Sequence, residues 1–154
     1  MGTRRRAREF ALQILYQLDA QELASASDEQ AIALFWRNFA AAGEGDEPRG
    51  DDDPEARGFA EKLVRGVRRH QAELDGLIQK ASKNWRLERM ARVDRNLLRL
   101  ALYELKYADD VPAKVAINEY VEIAHAFYDQ GEPNFVNSVL DRVARQSRAS
   151  ELAR

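Results

Sequence analysis

The chain has 154 residues, of which 45% are apolar and 32% charged, and its formal net charge is −2. That length suits one domain or two small subdomains sharing a core, and the apolar fraction excludes a disordered chain. With a near-neutral total, any attraction to a polyanion has to come from local clusters of cations.

Cysteine is absent, which removes disulfides, cysteine-ligated zinc and thiol nucleophiles and fits a reducing cytoplasm. The basic N-terminus is not followed by an apolar run of signal-peptide length, and no stretch approaches the roughly 18–20 apolar residues of a membrane span. The expectation is a soluble cytoplasmic protein with no membrane attachment.

Helical periodicity runs through almost the whole chain. Phe10, Ala11, Ile14, Leu15 and Leu18 form the stripe of a first amphipathic helix. Ser27 followed by Gln30 reads as a capping box, opening a second helix through Ile32, Leu34, Phe35, Trp36 and Phe39. The stretch GEGDEPRGDDDPE, 43–55, holds seven acids, one arginine, three glycines and two prolines. It cannot bury apolar area and reads as a mobile acidic loop over 43–54. Asp53 and Pro54 make an N-cap and first turn for a third helix carrying Phe59, Leu63, Val64 and Val67. A fourth pattern, Leu74, Leu77 and Ile78, ends near Ser82. Residues 93–105, VDRNLLRLALYEL, are apolar on nearly every side, as in a central helix packed by several neighbours. Pro112 starts the next helix and Gly131 stops it, and Pro133 starts a last helix with Phe135, Val136, Val139, Leu140 and Val143. The tail from about Gln146 lacks a stripe. The pattern predicts an all-α bundle of about seven helices with no sheet.

Catalytic signatures are missing: there is no phosphate loop, dinucleotide-binding turn or nucleophile elbow. Glu122 and His125 stand at the Glu-x-x-His spacing that puts carboxylate and imidazole on one helix face in di-iron bundles. Such a site needs a second copy and two further inward glutamates, and the other histidine, His70, has Val67 in the equivalent place. No metal and no cofactor are expected, and binding is the better class of answer than catalysis.

The cations point to what is bound. Arg4, Arg5, Arg6 and Arg8 open the first helix. Arg4 and Arg8 share a side, Arg5 and Arg6 lie beside them, and Gln13 and Tyr16 continue roughly the same flank, away from Phe10, Ile14 and Leu18. Four guanidiniums at the positive end of a helix dipole need compensation. Phosphates supply it, because guanidinium forks match their oxygens, and Tyr16 could stack on an unpaired base. Solvation, or pairing with the 43–55 acids, would equally account for the arginines. Four engaged phosphates on a single strand would give a log–log salt slope of about −3. A second cationic run, KNWRLERMAR, with Arg95 and Arg99 beyond it, is offset by acids including Asp94, and its tryptophan and leucine spacing reads as core.

The blocks RRRAREFALQILYQLD, RVDRNLLRLALYEL, DVPAKVAINEYVEIAHAF and NFVNSVLDRVAR, in that order across nearly the whole chain, resemble the NusB family of bacterial transcription antitermination factors. The resemblance implies a single RNA-binding domain, 1–154, of two packed helical subdomains, about 3–70 and about 71–146. It implies a non-enzymatic factor that pairs with the ribosomal protein NusE and binds boxA-type single-stranded RNA. That heterodimer promotes read-through in ribosomal RNA operons within the transcribing RNA polymerase complex and its other Nus factors. Without its partner such a protein is a monomer or a homodimer. Matched by position, Arg4, Arg5, Arg6 and Arg8 meet RNA phosphates, and Gln13 and Tyr16 lie on the same RNA-facing side. Phe135 falls near the RNA surface, although its stripe with Val139 and Val143 equally suits core packing. Asn134 fits a helix cap, and Asn137 suits a cap or an RNA contact. Asp94 and Arg95 begin the helix that meets the protein partner, where Asp94 also suits a plain helix-start acid. Glu119 fits a structural hydrogen-bonding role.

Two departures stand out. Lys80-Ala81-Ser82 replaces the Pro-Tyr-Leu that members often carry, losing an aromatic, and the acidic 43–55 stretch looks like an insertion. Two other readings remain open. One is an RNA-targeting domain like that of some ribosomal RNA cytosine methyltransferases, though no glycine-rich cofactor loop is present. The other is a helical protein-interaction adaptor that does not touch RNA, which leaves the arginine cluster idle.

Overall fold

The computed structural model describes residues 3–20, 27–42, 54–82, 85–108, 110–127 and 133–147. Within them lie seven α-helices and no strand: α1 (Thr3–Ala20), α2 (Asp28–Ala42), α3 (Pro54–Arg69), α4 (Gln71–Ser82), α5 (Arg92–Tyr107), α6 (Ala113–Phe127) and α7 (Pro133–Ser147), with a single 3-10 turn at Leu87–Arg89. The all-α class and the helix count expected from periodicity are those observed. The stretch 43–53, including the expected cap Asp53, lies outside the described residues, as does Gly131. The chain divides into two compact units, Met1–Arg68 and Arg69–Arg154.

In the first unit, α1 buries Ala7, Phe10, Ala11, Leu12, Ile14, Leu15 and Leu18. The Phe10, Phe35 and Trp36 rings meet edge to face, with centroids 5.0 to 6.3 Å apart. That geometry sets positive ring edges against negative faces. The Trp36 indole Nε1 donates to Glu61 at 3.0 Å, so its polar atom is satisfied inside an apolar cluster. The capping box forms in both directions: the Gln30 backbone N–H donates to Ser27 Oγ and the Ser27 N–H to Gln30 Oε1, each at 3.1 Å. At the same end of α2, Glu29 accepts two bonds from Arg65, at 2.6 and 2.8 Å, and Asp28 accepts one from Arg68 at 3.0 Å. Acids at the start of α2 thus face the basic second half of α3, an order that suits the dipoles of both helices. Leu34 is 41% exposed, because it lies about 200° around the helix from Ile32, off the stripe through Phe35 and Trp36.

In the second unit, α5 packs against α4, α6 and α7. It buries Leu97, Leu98, Leu100, Ala101, Leu102 and Leu105. It is a central helix, as its all-round apolar pattern predicts, yet it also buries Asn96, Arg99 and Glu104. Arg99 donates to both Asp75 oxygens, at 2.6 and 3.0 Å, and to Asn96 Oδ1 at 2.9 Å. Asn96 in turn donates to the Arg92 carbonyl at 2.8 Å. The Tyr120 hydroxyl, from a fully buried side chain on α6, donates to Glu104. These contacts tie α4 and α6 to α5 with geometry that apolar packing alone does not impose. A more exposed set lies at the far end of α5. Lys106 and Tyr107 both donate to Glu73, and His70 stacks on the Tyr107 ring with centroids 4.3 Å apart. The bonds from Lys106 and then Tyr107 hold the Glu73 carboxyl below its ordinary value, and the bond to Glu73 lifts Lys106 and Tyr107 above theirs.

Two outcomes follow. Arg99→Ala strands a half-buried Asp75 carboxylate and costs about 3 kcal/mol in urea unfolding, whereas Arg65→Ala, on an exposed pair, shifts the midpoint far less. The second concerns pH. A depressed carboxyl contributes stability above its unfolded pKa and loses it as pH falls through the folded one. Raised Lys106 and Tyr107 contribute below their unfolded values and lose it at higher pH. The difference in melting temperature between the wild type and Glu73→Gln is therefore flat from about pH 7.5 to 9, and it closes below about pH 4 and above about pH 10.

Candidate nucleic-acid interface

The leading helix splits by face. Two rows go inward: Ala7, Ala11, Ile14 and Leu18, and beside them Arg8, Leu12 and Leu15. The opposite side carries Arg5, Glu9, Gln13 and Tyr16 at intervals of four, four and three, with Arg6 and Gln17 along its edge. Arg4 and Arg6 are exposed, Arg5 and Gln13 are half-buried, and the Tyr16 ring is 40% exposed.

This arrangement departs from the expected one at Arg8 and at Arg4. Arg8 is 3% exposed and heads a buried row; it does not share the side of Gln13 and Tyr16. Its guanidinium lies 5.9 Å from the centre of the Phe59 ring on α3, and that of Arg4 lies 5.1 Å from the same ring. The Arg4–Arg8 side is the side facing α3. Arg5, Arg6, Gln13 and Tyr16 are the expected site residues that the fold does bring onto one face, with the Glu9 carboxylate among them. Arg6 also lies over the Phe10 ring of its own helix, at 5.9 Å.

In the second unit, Asp94 and Arg95 occupy the first turn of α5, both half-buried. The Arg95 N–H donates to the Ala91 carbonyl at 3.1 Å, and its side chain reaches the Glu88 carbonyl at 3.4 Å. Just before them, Trp85 is 57% exposed, contrary to the core position that its spacing suggests. The reason is local. Gln79 and Ser82 side chains both donate to the Trp85 carbonyl at 2.9 Å, and the Leu87 N–H returns a bond to Gln79 at 2.9 Å. These bonds hold the backbone in a turn whose indole is exposed, and Arg86, Arg89 and Arg92, which follow in the chain, are exposed as well. Ala81 and Ser82, which stand where the family often has Tyr-Leu, are buried. The Phe135 and Asn134 side chains lie outside the described residues, while Asn137 is exposed.

Glu122 and His125 are both exposed on α6. Among the described residues no three histidine, aspartate, glutamate or cysteine side chains gather as metal ligands, and no helix is long and apolar enough to cross a membrane.

Fold and surface together define an all-α protein of two helical units whose leading helix turns a cationic, tyrosine-bearing side outward. The NusB family model matches residues 5–145. The transcription antitermination protein NusB of Myxococcus xanthus is 49% identical over 144 residues, covering 94% of this chain and 96% of that one. Its counterpart in Syntrophotalea carbinolica is 45% identical over 152 residues, covering 96% and 95%. Among solved structures, T. maritima NusB superposes with a TM-score of 0.79 at 30% identity, covering 98% of this chain and 97% of that one. A chain in the crystal structure of antitermination factors NusB and NusE in complex with dsRNA gives a TM-score of 0.73 at 25% identity, covering 95% and 98%. The chain belongs to the NusB family of transcription antitermination proteins.

The division of α1 into faces has a direct check. Leu15→Ala lowers unfolding free energy by about 3 kcal/mol, while Tyr16→Ala, one residue on, stays within about 0.5 kcal/mol of the wild type. Chemical denaturation of the two variants side by side reads the difference.

Proposed function

We propose that this chain binds boxA-type RNA as a heterodimer with the ribosomal protein NusE and promotes read-through in ribosomal RNA operons, within the RNA polymerase complex and its other Nus factors. The observation that carries the reading is the outward row of α1, where Arg5, Arg6, Gln13 and Tyr16 share one face. The likeness to a chain solved in a complex of NusB, NusE and dsRNA supports RNA as the class of ligand and NusE as the partner.

Each side chain has a physical task. Arg4, Arg5 and Arg6 grip phosphate oxygens, which supplies affinity and positions the strand without reading sequence. The Tyr16 ring offers a stacking surface to an unpaired base, and Gln13, one turn earlier, offers an amide that both donates and accepts. Glu9 sits between them and repels a misplaced phosphate. Asp94 and Arg95 serve the protein partner from the other unit, and Phe135 serves RNA through α7. The protein does no covalent chemistry and uses no cofactor, and alone it is a monomer or a homodimer.

Taking Arg8 away from the phosphate-gripping set changes the quantitative expectation. Three cations engaged on a single strand give a log–log salt slope of about −2, shallower than the value expected for four. In a titration of boxA-type RNA at modest salt, Arg5→Ala with Arg6→Ala weakens binding about tenfold and flattens that slope. Added NusE tightens wild-type binding, and Asp94→Ala with Arg95→Ala removes that gain while binding by the chain alone is unchanged. If NusE does not tighten the wild-type complex, the heterodimer mechanism is wrong.

A further inference from the structure

We infer that Phe59 is a positioning residue for the cationic start of α1: its ring holds Arg4 and Arg8 from the neighbouring helix and so keeps the phosphate-gripping turn wound, without itself meeting RNA. The inference deepens the RNA-binding reading above and rests on it.

The first turn of α1 has three reasons to unwind. Its leading N–H groups have no partner within the helix. The dipole at that end repels cations. Arg4 and Arg8 also stand one turn apart, where like charges repel each other. Against this, the Arg4 guanidinium lies 5.1 Å and that of Arg8 5.9 Å from the centre of one ring, Phe59 on α3. An aromatic face carries negative quadrupole charge and attracts both. A single ring therefore spans two successive turns of α1 and attracts both cations, which an aliphatic side chain would not do.

Burial divides the labour between the two cations. Arg8 is 3% exposed, so it anchors; Arg4 is exposed, so its guanidinium meets both the ring and solvent. Phe59 is itself half-buried, which leaves ring surface available to Arg4. The contact between Arg6 and Phe10 differs in kind, since both lie on α1 and it ties the turn to nothing beyond its own helix. When α1 is wound, Arg5 and Arg6 project at fixed angles from the turn that Phe59 holds. A frayed turn would keep their charge and lose their geometry.

The test uses the full chain, with Phe59→Leu and Phe59→Met as apolar replacements that fill space without a ring, and Phe59→Tyr as the variant that keeps one. Two replacements guard against one of them failing to fold. Amide hydrogen exchange at residues 6–8 of the free protein is read first. It is faster in the Leu and Met variants and at the wild-type rate in Tyr, while α2 and the rest of α3 keep their protection. Affinity for a short single-stranded boxA-type RNA then falls about fivefold in the Leu and Met variants and recovers in Tyr. Arg4→Ala weakens wild-type binding and weakens it less in the Phe59→Leu background, because the ring contact is already gone there and only the phosphate contact is left to lose. Wild-type exchange at residues 6–8 in both apolar variants, or fully additive effects of Arg4→Ala and Phe59→Leu, would overturn the role assigned to Phe59 while leaving Arg5- and Arg6-dependent RNA binding intact. A wild-type chain that does not bind the RNA would overturn the RNA-binding reading and this role together.

Discussion

The structure of the first unit depends on one conflict within α1: a helix that must bury Phe10, Ile14, Leu15 and Leu18 also carries four arginines at the end where its dipole least favours them. Burial of the apolar rows is worth several kcal/mol on any area estimate and decides that the helix forms. The arginines are then sorted by the same rotation. Those on the inward side meet an aromatic ring of α3, and those on the outward side face solvent beside Gln13 and Tyr16. Electrostatic cost at the helix start is thus converted into a directed surface. A net charge of −2 for the chain does not contradict that, because the field near the surface follows local arrangement rather than the total.

The second unit solves a different problem. Its central helix has too few outward positions to keep every polar residue in water, so Asn96, Arg99 and Glu104 are buried and partnered. Arg99 with Asp75, and Glu104 with Tyr120, reach from α5 to α4 and α6. A buried polar contact tolerates little sliding, since a shift of one residue would strand a donor or a charge. The apolar surface supplies most of the free energy, and the polar contacts select which of several similar helix registers is adopted.

Much of this was legible in the sequence, for reasons that can be named. The Ser27–Gln30 capping box, the prolines at the starts of α6 and α7 and the helical spacing of α1 and α5 are local signals, and local signals survive without tertiary information. What escaped was set by contacts between segments far apart in the chain. Arg8 looks like its neighbours until α3 delivers Phe59 beneath it, 51 positions later in the numbering. Phe59 itself reads only as a core position of an amphipathic helix. Trp85 has the composition of a core residue, and only the side-chain bonds from Gln79 and Ser82 turn it outward. The outward place of Leu34 follows from the 3.6-residue period alone. The family blocks pointed to a surface of interest, but which arginines share that surface depends on packing.

The two tryptophans give the molecule a property that belongs to neither site. Trp36 is 3% exposed in the first unit and Trp85 is 57% exposed in the second. An indole shielded from water emits at shorter wavelength than a hydrated one, so the pair forms two spectrally separable probes, one per unit. Loosening of the first unit displaces emission toward the red, whereas a macromolecule settling over the turn at Trp85 displaces it toward the blue. Disruption and docking therefore leave opposite optical signatures in a chain that carries no label.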